Sequence, residues 1–128
     1  MSEETIKMTV EELTAAMATE VMGWTRELRS CDSEWWSGPI GTYPEPLPIF
    51  LVDEWSPARD AYHRDGIVEK MRGLGWTFYL TGNLNEQGAS FAKDKIVTRH
   101  KRNKNIGIAV MLAAYQAVTG NRVEVSSE

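Results

Sequence analysis

The 128-residue chain has one cysteine, Cys31, which has no second cysteine to pair with, and two histidines beside it are too few for a zinc framework. A disulfide scaffold and a structural metal site are therefore excluded as sources of stability, and no cofactor is implied. No run of about 20 apolar residues exists to span a bilayer. The opening Met1-Ser2-Glu3-Glu4 lacks the positive charge of a signal peptide. The expectation is a protein of the cytoplasm with no membrane contact. Glycines at Gly73, Gly75 and Gly82 have neither the spacing nor the Lys-Ser/Thr ending of a phosphate loop. What is present is the balance of one globular domain, 42% hydrophobic and 25% charged residues. At this length roughly two-thirds of the chain's surface can be buried without staples.

Charge becomes informative when divided by position. Lys93, Lys95, Arg99, Lys101, Arg102 and Lys104 fall in one window with a single acid, Asp94, a local +5 in a chain of net −4, which leaves −9 for the remainder. This is a small acidic protein with one basic patch.

The first periodic segment runs from Thr9 to Gly23, with Leu13, Met17 and Val21 at four-residue steps and Ala16 beside them, an amphipathic helix. Thr9-Val10-Glu11-Glu12 has the form of a capping box, and Gly23 supplies the stop. Residues 25–48 read as an aromatic-bearing loop with at most a short strand around Trp35, because Pro39, Gly41, Pro44, Pro46 and Pro48 forbid helix. Ile49-Phe50-Leu51-Val52 fits a buried strand. Ser56-Pro57 resembles a helix start, with Asp65-Gly66 as the alternative start of a shorter helix; either would end at Gly73-Leu74-Gly75.

Trp76 to Thr81 alternates apolar and polar residues as a strand does, and a turn-rich stretch leads to a second strand near Ala89 to Lys95, the two predicting a hairpin. Asn105 is positioned to cap a helix from Ile106 to Val118 that has almost no polar face. Such a helix is either central to the fold or part of a homo-oligomer interface. Val123 to Glu128 reads as a polar tail. The pattern predicts an α+β fold, a small and mainly antiparallel sheet with about three helices.

Val21-Met22-Gly23-Trp24 closing the first helix, the Pro-rich approach to a second helix ending Ile67-Val68-Glu69-Lys70-Met71, Gly75 before an aromatic strand, and the Ala-rich helix Ile108-Ala109-Val110-Met111-Leu112-Ala113-Ala114 together resemble the phage ABA sandwich domain family. The likeness spans about residues 9–120, leaving 1–8 as an extension and 121–128 as a tail. It implies a three-layer α/β/α sandwich, a tailed-phage or prophage origin and hence the host bacterial cytoplasm, with no catalytic motif to carry over. Asp65-Gly66 and the basic run depart from the family's usual pattern.

The basic run is the leading candidate for a ligand site. Lys93, Lys95, Arg99, Lys101, Arg102 and Lys104 before a helix start suit phosphate, His100 adds a donor, and Asn103 and Asn105 suit ribose or base edges. Its bland counterpart is a solvated charge run. Trp35 and Trp36, with Tyr43, suit stacking on a purine, or else belong to the core. Cys31, His63 and His100, or Asp53, Glu54 and Asp60, carry no recognised catalytic signature, so an enzyme is not expected. A net −4 surface argues against extended nucleic acid.

The expected function is binding of an anionic, nucleotide-like small molecule, in its most specific form sequestration of a host nucleotide signal used in antiphage defence. The alternative is a phage accessory protein that docks on a host or phage protein through the third helix or the Trp35-Trp36 segment.

Overall fold

A computed structural model describes residues 5–29, 32–39, 45–82, 86–94, 96–97 and 101–125, with Val97, Lys101 and Arg102 described as backbone. These residues form three helices and nine strands, an α+β fold with small, mainly antiparallel sheets.

The first helix starts as its capping box dictates. Thr9 Oγ1 accepts from Glu12 N at 3.0 Å and Glu12 Oε1 accepts from Thr9 N at 2.9 Å. Helix α1 (Val10–Ala16) then widens into a π-helical turn, Met17–Val21, in which Met22 N donates to Met17 O at 2.9 Å. Leu13, Met17, Ala18 and Val21 are buried on its inner side. Gly23, at φ +74°, lets the chain reverse so that Trp24 N donates to Ala18 O and its ring turns into the core.

The segment read mostly as loop is instead a three-stranded antiparallel sheet. Strands β2 (Thr25–Arg29), β3 (Ser33–Gly38) and β4 (Leu47–Leu51) pair in that order, with Trp36 opposite Phe50 and a bulge after Trp36. Prolines do not prevent this, because Pro48 lies on the edge strand beside the bulge, where proline is tolerated. Strand β2 has no alternation to announce it; its Arg26, Glu27 and Arg29 bond to side chains within the sheet.

The second helix begins at neither expected place. Ser56 and Pro57 make one closed turn, with Asp60 N donating to Ser56 O at 2.8 Å, and Asp60 then caps α2 (Ala61–Gly73) by accepting from Tyr62 N and His63 N. The helix passes straight through Asp65-Gly66. A glycine there costs about 1 kcal/mol, which burial of His63, Ile67 and Met71 on one face outweighs.

The predicted hairpin is present as β5 (Thr77–Gly82) and β6 (Gln87–Lys93), with Phe78 opposite Phe91. Two short strands inside the basic run, β7 (Ile96–Val97) and β8 (Lys101–Asn103), pair with the other edge of β6. Helix α3 (Ile106–Thr119) is capped by the Asn105 side chain, which accepts from Ile108 N, and Gly120 ends it at φ +80°.

Gly107 and every residue from Ala109 to Gln116 are buried, so the apolar helix is the centre of the fold, covered by the chain's own elements. The segment read as a polar tail contains β9 (Arg122–Val125), which pairs in parallel with β1 (Thr5–Met8). Ile6, Met8, Val123 and Val125 pack against the core.

Candidate functional site

The start of α1, strands β2 and β3, and the turn from Val52 to Arg59 enclose a groove of about 870 Å³. Trp55 builds it. Its indole Nε1 donates to Thr14 O at 3.0 Å and fixes the turn against α1, while its ring stacks on His63 at 5.2 Å and meets Trp24 edge-on at 4.8 Å. His63 is itself committed: its Nδ1 accepts from Ser56 N at 3.0 Å, so the ring braces the turn. Trp36 and Trp55 give the groove aromatic walls, and Thr9, Thr14 and Ser56 add hydroxyl-bearing residues.

Its charge is divided. Glu11, Glu12 and Asp53 contribute carboxylates, and Arg26 and Arg59 contribute guanidinium groups. Arg26 is held: it pairs in bidentate fashion with Glu34 at 3.0 and 2.8 Å and lies 5.9 Å over the Trp36 ring. The Glu34 hydrogen bond, followed by the Glu34 and Asp53 charges, raises the Arg26 pKa above its ordinary value. The same bond lowers that of Glu34. Arg59 differs, because among the described residues no carboxylate pairs with it, and it is exposed.

The residue that follows the basic run, Asn105, reaches the wall of this groove. Asn105 Nδ2 donates to Ala58 O at 2.8 Å, so Lys104 and Arg59, both exposed, each adjoin one end of a single hydrogen bond. Ala58 and Arg59 line the groove with Trp36. The link has no local trace, since it joins positions 47 residues apart.

The expected site residues have different fates. Trp36, 3% exposed, is a core residue with one side at the groove; Trp35 is half-buried and is not part of the groove lining. Lys93 is engaged in the fold: its Nζ donates to Leu74 O at 2.9 Å, at the C-terminal end of α2, and lies 5.8 Å from the Trp76 ring. A cation suits that negative helix end, so Lys93 serves there as a helix cap. Lys101 and Arg102 are placed at backbone level in β8. Lys95, Arg99 and His100 lie outside the described residues, as do Cys31 and Tyr43.

Arg26, Trp55 and Arg59 were not singled out by sequence, because no motif marks any of them as a ligand group. Among the described residues no cluster of His, Cys, Asp and Glu could hold a metal ion, and no helix is long and apolar enough to cross a membrane. No protein-family model, curated protein or solved structure matches this chain.

Proposed function

We propose that this chain is a non-catalytic binding protein whose ligand, an anionic molecule of nucleotide size, lies in the groove between α1 and the Val52–Arg59 turn. One observation carries the reading: aromatic walls, accepting carboxylates and an unpaired arginine line one cavity of about 870 Å³, a volume in the ordinary range for small-molecule sites. A nucleotide complements each part. Its base lies against the wall that the buried Trp36 and Trp55 rings back, its ribose hydroxyls donate to Asp53 or Glu11, and its phosphate meets Arg59.

Resemblance to the phage ABA sandwich family supplies the biological form of the proposal. In that setting, binding without turnover sequesters a host nucleotide signal in the bacterial cytoplasm.

Native mass spectrometry of protein purified gently from bacteria, followed by titration with AMP, a cyclic dinucleotide, ADP-ribose and inorganic phosphate, tests the reading. At least one nucleotide is expected to bind, and Arg59→Glu is expected to weaken it at least about tenfold with the melting temperature nearly unchanged. Equal affinity in the folded Arg59→Glu variant, or no binding by any probe, would overturn the groove as a nucleotide site.

A further inference from the structure

We propose that the outer edge of β5 is a self-association seam, where a second copy of this chain pairs antiparallel about a two-fold axis through Tyr79. Among the described residues β5 forms the end of its sheet, with β6 on one side and no strand on the other. Exposed sheet edges invite pairing unless something blunts them. The other sheet of three or more strands has such protection at both edges. Strand β2 carries Arg26, Glu27 and Arg29, and β4 carries Pro48 next to a bulge.

Strand β5, Thr77-Phe78-Tyr79-Leu80-Thr81-Gly82, has no charge and no proline, and its six pairings with β6 run without a register shift. It also shows apolar side chains on both faces, with Tyr79 52% and Leu80 53% exposed.

The occupant follows from the strand's own order of residues, which is chemically palindromic. In a continuous sheet, an axis through Tyr79 sets Tyr79 opposite its copy, Phe78 opposite Leu80, and Thr77 opposite Thr81. These are aromatic with aromatic, aromatic with aliphatic, and Thr with Thr, the cross-strand pairs that stabilise sheets. Centring the axis on Leu80 would set Phe78 against Gly82 and lose that match. A second copy of an acidic chain is repelled over most of its surface, and an uncharged edge avoids that cost.

The test is light scattering over a concentration series, together with oxidation of Tyr79→Cys in a Cys31→Ser background. Opposed Cα atoms of an antiparallel pair lie about 4.5–5.5 Å apart, within disulfide reach, so a covalent dimer is expected. Tyr79→Asp, which sets two carboxylates face to face, should raise the dimer dissociation constant at least about tenfold. Tyr79→Phe should preserve the dimer, and circular dichroism of each variant separates a lost seam from a lost fold. A wild-type chain that stays monomeric at all concentrations would overturn the proposal. So would a dimer indifferent to Tyr79→Asp that fails to cross-link at position 79.

Discussion

At Gly107 the third helix lies so close to the Pro57-Ala58 backbone that a Cβ there would run into the Pro57 carbonyl oxygen and the Ala58 Cα. Both neighbours are main chain and neither can swing away. Gly107→Ala, which would stabilise an open helix, is therefore expected to destabilise this one by about 1–3 kcal/mol. Gly66, inside α2, meets nothing within 4 Å, and the same substitution there should stabilise by about 0.5–1 kcal/mol. Urea denaturation of the two variants checks the opposite signs. Nothing in sequence distinguishes the glycines, since each sits in a helix and the difference comes from a turn far away along the chain.

Among the elements, α3 shows how a local signal acquires a second task. Asn105 caps the helix through its Oδ1 and reaches the groove wall through its Nδ2, accepting from Ile108 N at 3.1 Å and donating to Ala58 O at 2.8 Å. Asn105→Asp keeps the cap and loses the donor, whereas Asn105→Ala loses both. The alanine variant is expected to cost about 1–3 kcal/mol and the aspartate variant less, by thermal denaturation, with Ala58 and Arg59 loosened in both.

The cap was legible because Asn before an apolar run is a property of neighbours in sequence. Other elements were hidden for comparable reasons. Strand β2 is charged at three of its five positions, so its strand character depends on the partner that Trp35 and Trp36 provide. Ser56-Pro57 has the chemistry of a helix start, but burial of Pro57 against α3 and the extended backbone of Asp60 move that start four residues on. Lys93 counted in sequence as one cation of a patch, and only the end of α2 reveals its carbonyl partner.

For the whole molecule, stability at acid pH follows from the sheet that carries Trp36. Glu27 accepts from the Ser37 hydroxyl at 2.7 Å and from Arg29, and Glu34 accepts from Arg26, which holds both carboxyl groups below their ordinary value of 4.5. A carboxyl group depressed in the folded state adds stability above its unfolded value, and that contribution fades as pH falls through the folded value. The melting temperature of the wild type should therefore fall more steeply from about pH 5 to pH 3 than that of Glu27→Gln with Glu34→Gln. Both groups are half-exposed, so the difference will be modest and smaller in high salt. Melting curves across that range, at two ionic strengths, measure it.

By itself the sequence determined the caps at Thr9 and Asn105, the stops at Gly23 and Gly120, the hairpin of β5 and β6, and the α+β class, because each depends on residues within one or two turns of one another. Tertiary structure decided the rest. It placed α3 at the centre, paired β1 with β9 as parallel strands, set Lys93 at a helix end, and tied Asn105 to Ala58 at the wall of a groove lined by Arg59, Trp36 and Trp55. Burial and long-range hydrogen bonds are properties of what the folded chain brings together, and spacing along the chain does not record them.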